Sequence, residues 1–478
     1  MAGTSRGGIE MDFMIGKRRS SPKPTEDSPF RILVLGPLSG ENRKSSAAKP
    51  MRVDVTELDD LIGRLSPKVT LDMADGTAIE VSFEELDDFH PDALFDRLPV
   101  FKAMRQLRRE LQDPKTFQRA AAALREVPEP TPSTSSAVES AGEADGDMME
   151  RLLGKAPAAA PKAQVPTGID AFVRQLVAPH VVQGPHPEQA VHLSALDKAT
   201  GELMRSILHH PKFQSLEAAW RGLDFLLRGV EAEMELAVLD MFKDDLGVEL
   251  SGDDPCVTPF GKCLIGEAGA PEPPWALLVG AFTFGPSDAD AALMQRLAVV
   301  LAAAGVPLLS AADPSLAAHD APPDWSGWQE LRQRPEAAMI GLALPRFLLR
   351  LPYGEQTDEV DRFAFEEQTE PPEPPRYLWG NPAFLVATLL GRSFAQAGWA
   401  FSPGDTLSIN GLPAHTVRVD GELAQTPCAE VWMSHSAAET LLAQGFVPVC
   451  SVRGRDAVQL LRIQSMAEPL AALAGRWK

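Results

Sequence analysis

A chain of 478 residues with 44% hydrophobic content is long enough to bury two or three ordinary cores. Its 45 basic and 66 acidic residues leave a net charge of −21, which repels phosphate backbones and anionic lipid and excludes nucleic acid and membrane as expected partners. Four cysteines, Cys256, Cys263, Cys428 and Cys450, are too few for a disulfide framework at this length and stand at no metal-binding spacing.

The N-terminal stretch "MAGTSRGGIEMDFMIGKRRS" has no apolar core of signal-peptide length, and no run of 18 apolar residues follows, so a cytoplasmic location is expected. Residues 1–27 read as an arm. Within it, Ile9, Met11, Phe13 and Ile15 fall on one face, while Glu10, Asp12 and Met14 fall on the other. That period of two predicts a strand. An isolated apolar strand in a tail has to pair, either in its own sheet or on the edge of another molecule.

Residues 28–125 read as a small α/β unit. "FRILVLG" (30–36) is a buried-strand run closed by glycine. "TELDDLIGRLSP" predicts a helix with Thr56 as N-cap and Pro67 at its end, and "AIEVSF" (78–83) a second strand. "FEELDDFHPDALFDRLPVFKAMRQLRREL" gives two helical pieces punctuated by Pro91 and Pro99. In the second, Phe101, Met104, Leu107 and Leu111 oppose Lys102, Arg105, Arg108 and Arg109.

Residues 126–167, rich in Pro, Ala, Ser and Glu and lacking aromatic residues, cannot bury enough apolar surface to fold and read as a disordered linker. One island in it, "DGDMMERLLGK", puts Met148, Met149, Leu152 and Leu153 at helical spacing. It reads either as an ordinary helical turn or as a short recognition helix.

Residues 168–478 read as a larger α/β unit. In "ILHHPKFQSLEAAWRGLDFLL" (207–227), His209 and His210 are neighbours and point about 100° apart on a helix, which does not suit a metal site. Pro211 suits a helix start, and Phe213, Leu216, Trp220, Leu223 and Leu227 form a stripe at spacings of three and four. "WALLVGAFTFG", "DADAALMQRLAVVLAAAG" and "VPLLSAA" predict a strand–helix–strand crossover with Gly305 as C-cap. Ser436 and Glu439 suggest a capping box, and "FVPVCSV" a buried strand.

No dinucleotide or phosphate loop, no G-x-S-x-G and no H-E-x-x-H occurs, and no cofactor or metal is expected. "SSPK" (20–23) matches S-x-x-K by chance in a tail. The adjacent carboxylates Asp87-Asp88 and Glu366-Glu367 are expected to be solvated, and "RGRD" (453–456) to make ion pairs. A hydrolase built on His209, His210 and nearby acids has no motif behind it, so the expectation is a protein that is not an enzyme.

Several strings together carry a resemblance: "ILHHPKFQSLEAAWRGLDFLL", "GLALPRFLLRLPYG" (341–354), "FAFEE" (363–367), "YLWGNPAF" (377–384), "PCAEV" (427–431) and "QSMAEPLAALAGRW" (464–477). They resemble the large subunit of the type VI secretion contractile sheath over roughly 168–478. "FRILVLGPLSG" and the D-F-x-P-D-A run resemble the small subunit over roughly 25–125. The chain thus looks like a fusion of both.

The resemblance implies a contractile tail-sheath-like fold and a structural protomer that polymerises helically around an inner tube and contracts to propel it. It also implies self-association, with or without separate sheath subunits, and the inner tube protein, a baseplate and an AAA+ recycling ATPase as partners. Ile9, Met11, Phe13 and Ile15 would exchange strands between protomers. Phe213, Leu216, Trp220 and Leu223 would form a subunit-interface helix, and Met148, Met149, Leu152 and Leu153 an ATPase-docking helix. Changing Met149 and Leu153 to acidic residues is then expected to abolish pull-down of the ATPase, and unchanged binding would remove that assignment. The fusion and a short stretch between Asp313 and Ala338 also raise a second reading, a non-contracting adaptor or assembly factor made of sheath parts.

Overall fold

The computed structural model describes residues 27–43, 49–74, 76–125, 188–229, 234–266, 272–317, 326–369, 371–419 and 422–477. Their strands are β1 (Phe30–Gly36), β2 (Met51–Arg52), β3 (Lys68–Asp72), β4 (Ala78–Ser82), β5 (Met234–Asp240), β6 (Leu277–Phe284), β7 (Leu308–Ala312), β8 (Ile340–Leu344), β9 (Phe347–Leu348), β10 (Trp379–Gly380), β11 (Ser408–Asn410), β12 (Thr416–Val419), β13 (Glu422–Gln425), β14 (Val447–Ser451) and β15 (Ala457–Leu460). Two compact units divide the chain, Met1–Val100 with Ala199–Lys478, and Phe101–Lys198.

The first unit is a mixed α/β fold on a sheet of order β11-β15-β14-β8-β7-β6-β1-β5-β2. Neighbours from β14 through to β5 run parallel, and β15, β11 and β2 are antiparallel additions at the edges. Parallel strands covered on both faces need continuous apolar sequence. "FRILVLG", "LLVGAFTF" and "IGLAL" have that character. On one face Leu33, Leu35, Leu239, Leu278 and Phe284 meet Met294, Leu297 and Leu301 of the helix Asp288–Ala304. The buried helix Pro382–Ala397 packs against β6, β7 and β8.

The expected crossover is present. Asp288–Ala304 joins the parallel strands β6 and β7, with Ser287 Oγ accepting from the Asp290 amide at its start and Gly305 at φ 66° at its end. Two caps differ from expectation. Asp54, not Thr56, accepts the Thr56 and Glu57 amides, because the first turn Val55–Glu57 is a 3-10 turn preceding the helix Leu58–Leu65. The helix His435–Ala443 is capped by Ser434, which accepts from the Ala437 amide. Glu439 turns instead to His435, 3.3 Å away, so Ser436 and Glu439 form no capping box.

The separate reading of residues 28–125 and 168–478 left their pairing open. In the structure β1 lies between β5 and β6, with Val34 opposite Val238 on one side and Val279 on the other. Strand pairing of this kind has no local signal. In the second unit, Leu111, Phe117, Ala120, Ala121 and Leu196 form a small core, and Arg108 pairs with Asp197. The arm residues Ile9, Met11, Phe13 and Ile15, the linker 126–167, and Met148, Met149, Leu152 and Leu153 lie outside the described residues.

Candidate functional site

The site with the most built-in specificity is where segment 28–100 meets the elements after residue 199. The helix Pro211–Gly229 is central to it. Of its stripe, Phe213, Leu216, Trp220 and Leu223 are all buried. Phe213 sits 5.9 Å from Phe83 and 5.7 Å from Phe89, ring centre to ring centre, while Phe83 and Phe89 stack at 3.9 Å. The Trp220 indole N–H donates to the Leu38 carbonyl at 3.0 Å, satisfying a polar group that burial would otherwise make costly. Lys212, at the exposed end, reaches Glu41 at 3.0 Å and Asp72 at 3.4 Å.

The run "DFHPDA" has a mechanical explanation. Asp88 accepts the Glu84 amide at 2.7 Å and pairs with Arg97. His90 Nδ1 accepts the Asp92 amide at 3.2 Å, capping the helix Pro91–Arg97. The Asp92 carboxylate in turn accepts the amides of Asp361 and Arg362 at 3.1 and 3.0 Å, and Phe95 packs on Phe363 at 5.0 Å. A short helix thus fixes the segment leading into "FAFEE". Asp88 is 5% exposed, so Asp87-Asp88 is not the solvated pair expected from adjacency.

Glu366-Glu367 departs from expectation more strongly. Glu367 is 2% exposed and belongs to a buried ionic cluster with Glu217, which is fully buried. Arg350 bridges the two carboxylates. Its Nε donates to Glu217 Oε1 at 2.8 Å and its Nη1 to Glu367 Oε2 at 2.7 Å, with Nη2 3.3 and 3.2 Å from the remaining oxygens. Arg221 donates to Glu217 at 2.7 Å and to the Tyr353 hydroxyl at 3.0 Å, and the Tyr353 amide donates to Glu367 at 2.8 Å. His209 Nε2 stands 3.5 Å from Glu367 Oε1, which places the histidine beside an anion in the core.

Burial pushes the Glu367 carboxyl up, but Arg350 and the surrounding donors outweigh it and hold the group down at about 2. Burial drives the Tyr353 hydroxyl up to about 12, so it stays a neutral donor and acceptor. Two guanidinium groups and two carboxylates balance, which is how a buried cluster escapes the penalty of a lone charge.

A second charged contact crosses the sheet. Arg31 on β1 is 4% exposed, lies 3.1 Å from Glu235 on β5 and 2.9 Å from Glu272, and stacks 4.2 Å above the Trp275 ring. Around β1's first residue, Phe30 packs with Phe394, Trp399 and Phe401 at 5.0 to 5.9 Å. Sequence reasoning missed Arg31, Glu217 and Arg350. Their signal is a lone charge inside an otherwise apolar run, as in "FRILVLG" and "FLLRLPYG".

The arrangement binds segments together and presents no nucleophile with an adjacent base. Among the described residues no group of three or more His, Cys, Asp or Glu side chains could hold a metal, and no helix is long and apolar enough to cross a membrane. Arg453 lies over the Trp432 ring at 5.5 Å, a cation–π contact where ion pairs were expected.

Residues 190–467 match the family described as EvpB/VC_A0108, tail sheath N-terminal domain; this is more than half of the chain, and the chain belongs to that family. Residues 17–130 match a second family, described as Type VI secretion system, VipA, VC_A0107 or Hcp2. Both are structural, non-enzymatic families. The Type VI secretion system sheath protein TssC1 of Pseudomonas aeruginosa is 32% identical over 305 residues, which cover 58% of this chain and 61% of that protein. The chain therefore spans about three fifths of the length of the curated relative it matches. The helical sheath of the anti-feeding prophage in its contracted state aligns over 53% of each chain at 14% identity and a TM-score of 0.28.

Proposed function

We propose that the chain is a cytoplasmic, structural protomer of a type VI secretion contractile sheath, which polymerises around an inner tube and contracts to drive it outward. The observation that carries this reading is β1. It comes from the segment matching one sheath family and is held between β5 and β6 of the segment matching the other. In this reading 1–27 is an exchange arm, 28–125 and 168–478 are the two sheath parts and 126–167 joins them. Phe213, Leu216, Trp220 and Leu223 form the helix on which the two parts close. Contraction is then a switch between two packings of rigid protomers, driven by the difference in packing free energy. Second copies, the inner tube and a baseplate are the partners, and an AAA+ ATPase recycles the polymer through Met148, Met149, Leu152 and Leu153.

Negative-stain electron microscopy of the purified full-length chain at moderate salt tests the reading. Hollow tubes are the expected result, and deleting residues 1–20 should leave a folded protomer that no longer forms them. Monodisperse particles with and without inner tube protein would instead support the adaptor reading.

A further inference from the structure

Arg392, on the helix Pro382–Ala397, is a half-buried cation with no hydrogen bond or ion pair among the described residues. It lines a cavity of about 330 Å³ together with Arg221 and Arg228 from the helix Pro211–Gly229. The two helices approach closely there, since a Cβ at Gly229 would stand 2.5 Å from Thr388, one turn before Arg392. Arg221, Asp224 and Arg228 recur at spacings of three and four, so they share one face of their helix. Part of the charge on that face is already paired. Asp224 takes Arg228, whose Nε lies 2.8 Å from both carboxylate oxygens, and Arg221 serves Glu217 and Tyr353 through Nε and Nη2. Both Nη groups of Arg228 and the Nη1 of Arg221 remain as donors, and Arg392 adds a positive charge with no counterpart among the described residues. Much of the remaining lining is apolar and held in place. Ile409 of β11 is 2% exposed, and Gly411 turns the chain at φ 76°. The Leu412 amide then donates to the Asp456 carbonyl at 2.9 Å, which fixes Leu412 and Pro413 at the cavity.

We propose that this cavity binds a small organic monocarboxylate, a carboxylate group on an apolar body. A carboxylate supplies one negative charge, which equals the charge that Arg392 leaves uncompensated. Its two oxygens match the parallel N–H groups of a guanidinium fork, and the donors left on Arg228 and Arg221 serve the remaining lone pairs. A phosphate dianion would leave an excess of negative charge in a chain whose net charge is already −21, so a carboxylate fits better. Phe225 and Pro413 give the apolar body its surface, and 330 Å³ suits a molecule at the small end of ordinary ligands. The cavity is built within one compact unit, so binding does not depend on assembly into a polymer.

The test titrates hydrocinnamate, a carboxylate on a phenylethyl body, into the full-length chain at pH 7. Moderate salt screens the long-range repulsion between an acidic protein and an anion, and ligand-observed NMR reads binding. The expected result is saturable binding with a Kd on the order of 1 mM. Hydrocinnamyl alcohol, which lacks the charge, and acetate, which lacks the body, should each bind at least about tenfold more weakly. Arg392→Gln should weaken hydrocinnamate at least about tenfold and leave the unfolding midpoint of the ligand-free chain in place, because no bond within the described residues is lost. Arg392→Lys keeps the charge without the fork and should fall between the two. Equal affinity for the acid and the alcohol would overturn the proposal, as would equal affinity of the parent and the Arg392→Gln chain. So would binding that does not saturate at about tenfold the expected Kd. Should the glutamine variant not fold, a lysine variant that binds as tightly as the parent would overturn the fork. None of these outcomes turns on whether tubes form.

Discussion

Arg350→Met is expected to cost ~3–5 kcal/mol of stability at pH 7, a large fraction of the ~5–15 kcal/mol that an ordinary domain has. The residue joins Glu217 and Glu367, both of which remain buried when it is gone. Methionine fills similar space and Arg221 still pairs with Glu217, so the loss isolates the uncompensated Glu367 carboxylate rather than a cavity. The pH dependence distinguishes this from a packing defect. In the intact protein Glu367 is held at about 2, below its ordinary 4.5. Its contribution is therefore fully present above pH 4.5 and is lost as the pH falls from 4.5 towards 2. Without Arg350 burial of the Glu367 carboxyl favours its protonation, and the sign reverses, so the variant gains on the parent as the pH falls from 7 to 4. Urea unfolding midpoints of both proteins at pH 7 and 4 check it. A deficit that stays constant between the two pH values would assign the effect to packing.

Cutting the chain within residues 126–167 is expected to leave the two pieces associated, and Val34→Pro to separate them. Five apolar β1 side chains, Phe30, Ile32, Leu33, Val34 and Leu35, are at most 1% exposed. At ~1.5–3 kcal/mol each, they contribute roughly 8–15 kcal/mol gross, an overestimate against a partly compact unfolded chain, before Trp220 and Phe213 are counted. Proline at Val34 removes an amide from the middle of a central strand, where both neighbours use the ladder. Gel filtration after cleavage at an introduced protease site reads the result. Pieces that separate without the substitution would mean that β1 exchanges freely in solution.

Much of the local structure was legible because its signals are local. The apolar run at 30–36, the crossover from β6 through Asp288–Ala304 to β7, and the stripe from Phe213 to Leu223 each follow from a hydrophobic period and a terminator. The strand order was not legible, since nothing within "FRILVLG" specifies neighbours some two hundred residues away. The buried cluster was misread for a related reason. Glu366 and Glu367 are identical in sequence character, yet only Glu367 faces Arg350, and that partner comes from a different segment. Charge pairing across long separations leaves only a weak trace, a single ionisable residue where the period calls for an apolar one.

The position of β1 also sets a timetable for synthesis. The strand leaves the ribosome early, but its second neighbour, β6, is complete only about 250 residues later, a wait of roughly 10–50 s at ordinary elongation rates. During that interval a strand that is apolar except for Arg31 has two open edges and no place to go, which is the condition that favours aggregation. Expression yield should then depend on translation speed and on chaperones that hold nascent chains. Joining both segments in one polypeptide turns the search for a partner, whose duration would vary with concentration, into a delay fixed by chain length.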